Sequence, residues 1–214
     1  MPRRRAKKPE GRRRAGLHAL IEKNSPTAAG PPPPDLAWAR EKGQRSGGMM
    51  CEVVPGLFLG NRDASRDREL LRSRGIVAVV CVGARPVFSD SLAYHHVSIK
   101  DTGEQSMRGH FFAAARFIAG HRHEPTAGGE PGRRGAVLVH CQGGMSRSPA
   151  MVMAYLMQER GLTLGQAAEA VHLARPAVKP RPQFIDDLEA LAKDLQQAQA
   201  QAQDQLEPEP EPEP

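Results

Sequence analysis

Two short aliphatic runs constrain this chain most: Ile76 to Val82 and Ala136 to His140. Neither alternates polar with apolar, so each reads as a strand covered on both faces, the pattern of a parallel sheet between helices. Helical patterns surround them. Asp63 to Arg74 carries Leu70 and Leu71 inward, with Gly75 as its C-cap. Met107 to His121 places Phe111, Phe112, Ala115, Phe117 and Ile118 at helical spacing. Ser148 to Arg160, Leu164 to Arg175, and Pro182 onward predict three more helices. Val53-Val54 and Leu57-Phe58-Leu59 flank Pro55-Gly56 as two short strands about a turn, and Tyr94 to Lys100 reads as another strand. Glu124 to Gly135 reads as loop. The alternation predicts an α/β domain with a central, mostly parallel sheet flanked by helices.

The 214 residues exceed what this domain needs. Hydrophobic residues make up 39%, below the ~45–50% of folded domains, although that figure also counts glycine. The shortfall points to tails. Residues 1–50 carry net +8, with Arg3 to Arg5, Lys7, Lys8 and Arg12 to Arg14 followed by Pro31 to Pro34. Like charges repel and consecutive prolines favour an extended chain, so this segment reads as a disordered basic, Pro-rich tail. Residues 181–214 carry net −7 and end in alternating Glu-Pro. The expected division is a tail over 1–50, a folded domain over 51–195, and a polar, Glu-Pro tail over 196–214. The helix of residues 183–205 frays into Ala/Gln sequence. Trp38 reads as an exposed linker residue or a local docking point.

Several classes are excluded. No apolar run approaches the ~18–20 residues of a membrane span. No apolar segment follows the basic N-terminus, which argues against a secretory signal. Three cysteines, Cys51, Cys81 and Cys141, are too few for a disulfide scaffold and fit a reducing compartment. An intracellular protein of the nucleus or cytoplasm is expected. The arginine cluster fits nuclear or nucleolar targeting, RNA or acidic-surface binding, an organellar transit signal, or a solvated tail. Nucleic acid enters only through that tail.

The chemistry concentrates in Val137 to Pro149. A strand enters a loop containing Gly143 and Gly144, and a helix follows, with Ser148 at its cap and Pro149 in its first turn. Such a turn aims successive backbone N–H groups into one concavity backed by a helix dipole, which suits an anion. Cys141 opens the loop, where these groups favour its thiolate. Arg147 can fork two N–H donors onto phosphate oxygens. Cys81 reads as a small core residue, with a reversible disulfide to an oxidised Cys141 as the alternative. Cys51 reads as a free thiol. His121 and His123 read as solvated rather than metal-binding. Met145, Met151, Met153 and Met157 read as core or pocket wall.

The order His140-Cys141, Gly144, Ser146-Arg147-Ser148 resembles the signature of the cysteine-dependent dual-specificity protein phosphatases, within the protein tyrosine phosphatase superfamily. Val54 to Asn61, Ala154 to Met157, Ala174 to Pro176 and Pro182 to Phe184 resemble further segments of these domains in order and spacing. The resemblance implies that Cys141 is a nucleophile attacking phosphorus. It implies that the amides of Gln142, Gly143, Gly144, Met145, Ser146 and Arg147, with the Arg147 guanidinium, hold the phosphate oxygens. Ser148 would stabilise the leaving thiolate, and His140 would order the loop and support the thiolate. The family's general acid lies on a loop about 40 residues earlier, which implies Asp101 in Ile99-Lys100-Asp101-Thr102-Gly103. Asp90 is the alternative, in a sequence that reads as a turn. Neither metal nor cofactor is implied, and phosphorylated proteins are the implied substrates, as phosphotyrosine and phosphoserine or phosphothreonine.

A non-protein substrate (RNA 5′-phosphate, phosphoinositide or glucan) and a non-catalytic phosphoprotein scaffold are the rivals. Gln142 and Met145 add no charge for a multiply phosphorylated head group, and no carbohydrate-binding or rhodanese-like segment is visible upstream. A thiolate and a protonated Asp101 must coexist, so an optimum of about pH 5.5–6.5 is expected.

Overall fold

The computed structural model describes residues 48–102, 104–122 and 135–204. Expectations for the basic tail, Trp38, His123, most of the Glu124–Gly135 loop and the Glu-Pro end lie outside them.

Five strands form one sheet: β1 (Met50–Val54), β2 (Leu57–Gly60), β3 (Ile76–Val82), β4 (Ala93–Val97) and β5 (Ala136–His140). Their order across the sheet is β1-β2-β5-β3-β4. β1 and β2 pair antiparallel across Pro55-Gly56, and Glu52 Oε1 accepts from the Gly56 amide at 2.9 Å. β2, β5, β3 and β4 run parallel. The helices are α1 (Arg68–Ser73), α2 (Arg108–His121), α3 (Arg147–Arg160), α4 (Leu164–Ala174) and α5 (Pro182–Asp204).

The two central strands are covered on both faces, as their composition requires, apart from Val77 near the start of β3, which is exposed. Val80, Val82, Val137 and Val139 join one large core with α2, α3, α4 and α5. Val79, Cys81 and Leu138 face the other way, into a smaller cluster with Leu71 of α1 and Phe58. Phe111 and Phe184 are fully buried in the large core, each contributing about 1.5–3 kcal/mol through removal from water.

Three boundaries differ from expectation. The helix expected over Asp63–Arg74 is broken: a 3-10 turn spans Ala64–Arg66, and α1 starts only after Asp67. Asp67 is extended, and its carboxylate accepts from the Leu70 amide at 2.9 Å, so it caps a new helix. The strand expected over Tyr94–Lys100 ends at Val97, which releases Ser98 to Asp101 as a loop. The helix after the β5 loop begins at Arg147, with Ser146 at the cap position and Ser148 one residue inside. Neither serine caps, because each hydroxyl donates elsewhere.

Past Leu191 the α5 side chains become half-buried or exposed, and Leu195 still packs partly on the core.

Candidate active site

Cys141 follows β5, and its loop turns straight into α3. Neighbouring segments pull the loop carbonyls outward. The Gln142 carbonyl accepts from the Arg62 amide at 3.1 Å, and the Met145 carbonyl from the Lys179 amide at 2.7 Å. The Gly143 carbonyl accepts from Arg175 Nη2 at 3.4 Å. In a planar trans peptide the following N–H points the opposite way. The amides of Gly143, Gly144 and Ser146 are thereby turned to the other side of the loop. Gly144 has φ +66°, and a Cβ there would lie 2.7 Å from the Gly60 carbonyl oxygen. Only glycine fits this approach of loop to sheet.

Cys141 is 1% exposed, and its Sγ accepts a hydrogen bond from Ser148 Oγ at 3.2 Å. Burial alone would push the thiol up. The Ser148 hydroxyl, the backbone amides of Ser148 and Gly144, and the Arg147 charge together outweigh it, and the thiol sits below its ordinary value of 9.0. The other cysteines behave oppositely. Burial pushes Cys81 up to about 12 and also raises Cys51.

Arg147 is 7% exposed. Its Nη1 donates to the Ile99 carbonyl at 3.0 Å, and its Nε lies 3.6 Å from Asp101 Oδ2. That is an ion-pair contact but no hydrogen bond, so the buried Nε has no hydrogen-bond partner among the described residues. Gly83, with φ +68°, completes the seat: a Cβ there would collide with Arg147 Nη1 and the Ile99 carbonyl.

Asp101 stands opposite, on the loop that the early end of β4 creates. Its Oδ1 accepts from Ser146 Oγ at 3.0 Å and from Arg181 Nε at 2.7 Å. Asp90, by contrast, is an exposed partner of Arg68 near α1. His140 sits on the other face of the sheet. Its Nδ1 contacts the Cys141 carbonyl at 3.3 Å and its Nε2 contacts Cys81 Sγ at 3.1 Å, so it touches the loop backbone rather than the Cys141 sulfur. Burial drives the His140 imidazole down to about 4, partly offset by that carbonyl.

Of the remaining expected residues, Gln142, Gly143 and Met145 are exposed along the loop, while Ser146 is buried. His121 Nδ1 contacts the Phe117 carbonyl at 2.8 Å and its ring packs on Phe117.

Sequence reasoning missed four contributors. Gly83 shapes the Arg147 seat, and Arg181 holds Asp101. Lys179 lends its amide to the Met145 carbonyl. Asp187, on α5 and 6% exposed, accepts from Ser106 Oγ at 2.8 Å and from the Met107 amide at 2.7 Å. It anchors the far end of the Asp101 loop and caps α2 across the chain. Only the glycine after a buried strand left a local signal.

Residues 57–194 match the family described as dual specificity phosphatase, catalytic domain. The chain belongs to the dual specificity phosphatase family. Dual specificity protein phosphatase 1 of Arabidopsis thaliana is 33% identical over 146 residues, covering 67% of this chain and 69% of that protein. Dual specificity protein phosphatase 15 of Rattus norvegicus is 34% identical over 145 residues, covering 67% of this chain and 57% of that protein. The chain spans only 15% of another relative, MAP kinase phosphatase with leucine-rich repeats protein 3 of Dictyostelium discoideum. Among solved dual specificity phosphatases, human DUSP28 superposes with TM-score 0.61 at 30% identity, covering 70% of this chain and 96% of that chain. A mouse putative dual specificity phosphatase complexed with zinc tungstate gives TM-score 0.62 at 29% identity, covering 82% of this chain and 96% of that chain. No helix among the described residues is long and apolar enough to cross a membrane.

Proposed function

We propose that the chain is a protein phosphatase that hydrolyses phosphotyrosine and phosphoserine or phosphothreonine through a cysteinyl-phosphate intermediate. One observation carries this reading: a thiol biased toward thiolate and the buried, unbonded Nε of Arg147 meet at the two ends of one amide loop. A phosphate group presents phosphorus to the first and oxygens to the second. The tungstate complex of the mouse relative adds support, since tungstate is an oxyanion of similar shape.

In this reading Cys141 Sγ attacks phosphorus, the S–P bond forms and the P–O ester bond breaks. The loop amides of Gln142 to Arg147 and the Arg147 guanidinium stabilise the equatorial oxygens. Asp101 gives its proton to the leaving oxygen, then takes one from the water that cleaves the S–P bond. Ser148 donates to the departing thiolate. His140, neutral at working pH, orders the loop through the Cys141 carbonyl. The chemistry of these residues uses no cofactor.

The same reading assigns catalysis to residues 51–195 between two tails. It favours an intracellular setting, nucleus or cytoplasm, where three free thiols stay reduced. It leaves the basic tail a targeting or nucleic-acid-binding role.

The test is hydrolysis of para-nitrophenyl phosphate and phosphopeptides by wild type, Cys141→Ser and Asp101→Asn. Turnover lost in Cys141→Ser, and a loss in Asp101→Asn that grows with leaving-group basicity, are expected. An inactive wild type would sink the reading.

A further inference from the structure

The phosphate loop is held from outside by its carbonyls, and the first of them is held differently from the others. The Gln142 and Met145 carbonyls accept from backbone amides, and that of Gly143 from Arg175. The Cys141 carbonyl instead meets an imidazole, His140 Nδ1, at 3.3 Å. A carbonyl oxygen can only accept, so Nδ1 carries the ring proton. Burial keeps the imidazole neutral, so Nε2 bears a lone pair and needs a donor.

Cys81 faces that lone pair. It is the register partner of His140 across β3 and β5, so both side chains leave the sheet on one face. Both residues are fully buried, and Cys81 Sγ lies 3.1 Å from His140 Nε2. The buried cluster that contains Cys81 otherwise consists of Phe58, Leu71, Ile76, Val79, Ala136 and Leu138, none of which has a side-chain donor. Burial pushes the Cys81 thiol up to about 12, so its sulfur keeps the proton that Nε2 accepts.

Resting on the phosphatase reading above, we propose that Cys81 is a positioning residue for the nucleophile loop: its S–H donates to His140 Nε2, fixes the Nδ1–H tautomer and thereby holds the Cys141 carbonyl. The opposite tautomer would set an Nδ1 lone pair against the carbonyl lone pairs, and the loop would lose its first anchor. In the tautomer that Cys81 selects, the hydrogen bond polarises the Cys141–Gln142 peptide. The Gln142 N–H points away from that carbonyl, toward the inside of the loop, and becomes a stronger donor to thiolate and phosphate. Cys81 acts on the reaction in this way without touching substrate.

A cysteine that only filled space would be replaced better by alanine than by serine, because a buried hydroxyl costs more than a lost sulfur. A cysteine that donates reverses the order. The experiment therefore uses the full chain as wild type, Cys81→Ala and Cys81→Ser. Long-range proton–nitrogen spectra of 15N-histidine protein read the His140 tautomer, with His140→Asn assigning the signal. Iodoacetamide alkylation against pH reads the Cys141 thiol, and para-nitrophenyl phosphate reads turnover. Wild type should show the Nδ1–H form at neutral pH. Cys81→Ala should mix the tautomers, raise the Cys141 midpoint and lower kcat by roughly three- to tenfold, the rate equivalent of one hydrogen bond. Cys81→Ser should restore all three even where its urea midpoint is the lower of the two. An Nε2–H imidazole in wild type overturns the proposal, as does an alanine variant with unchanged tautomer and midpoint, or a serine variant no better than alanine. Should Cys81→Ala not fold, the wild-type tautomer and Cys81→Ser decide. Tautomer and alkylation need no turnover, so they decide the role of Cys81 separately from the phosphatase reading.

Discussion

Arg181 Nε lies 2.7 Å from Asp101 Oδ1. The two residues are 80 positions apart in the chain, one on the loop after β4 and the other just before α5. With Ser146 Oγ on the same oxygen and Arg147 Nε 3.6 Å from the other, Asp101 is held between the phosphate loop and the α5 loop. Arg181 is half exposed, so the pair is screened and its worth lies in orientation more than stability.

Arg181 is therefore a positioning residue. Arg181→Ala should lower kcat by about three- to tenfold on phenyl phosphate, a poor leaving group, and less on para-nitrophenyl phosphate. Arg181→Lys should recover part of the loss. A loss equal on both substrates would assign Arg181 to binding alone.

Ser148 is the one side chain with a hydrogen bond to Cys141 Sγ among the described residues. Removing it leaves burial less opposed, so Ser148→Ala should raise the Cys141 thiol. The rate of iodoacetamide alkylation against pH reads this directly: the midpoint for Cys141 should move up, while Cys81, already held near 12, is unaffected. The second chemical step should slow by roughly tenfold, with the phosphoenzyme accumulating in rapid-quench experiments.

Gly83→Ala tests the seat of Arg147. The added methyl would meet Arg147 Nη1 and the Ile99 carbonyl at a positive φ. Displacing the guanidinium by about 1 Å should reduce kcat/KM by about 10²-fold. Circular dichroism melting separates this from unfolding, since the strain itself is about 1–3 kcal/mol. Near-wild-type turnover would show that the guanidinium has room to move.

His140 contributes a pH dependence of stability. Its imidazole is held near 4 in the fold against an ordinary 6.5, by burial first. Above pH 6.5 both states are neutral there. Below it the unfolded chain takes up a proton that the folded protein refuses. Stability should thus fall as pH drops from 6.5 toward 4, by about 3 kcal/mol in all. Urea unfolding across that range measures the slope, and His140→Asn should flatten it.

The sequence alone determined the elements whose signals are local. Ile76–Val82 and Ala136–His140 are strands because uninterrupted aliphatic residues demand cover on both faces. Cys141, the glycines and Arg147 were legible because a strand–loop–helix turn brings a continuous stretch of backbone around one point. The family resemblance, rather than any local signal, pointed to Asp101. Tertiary structure decided the rest, because those contacts join residues far apart in sequence. Arg181 and Asp101 are separated by 80 residues, as are Met107 and Asp187. Asp67 broke a helix that periodicity alone would continue, by giving its carboxylate to the Leu70 amide. The loop looked poor in charge from Gln142 and Met145. Folding then brought Arg62, Arg66 and Arg85 to its edge, since sheet order sets the turn after β2 and the loop after β3 on either side of β5. Charge density at a site depends on which strand ends lie together, and only the packed sheet decides that.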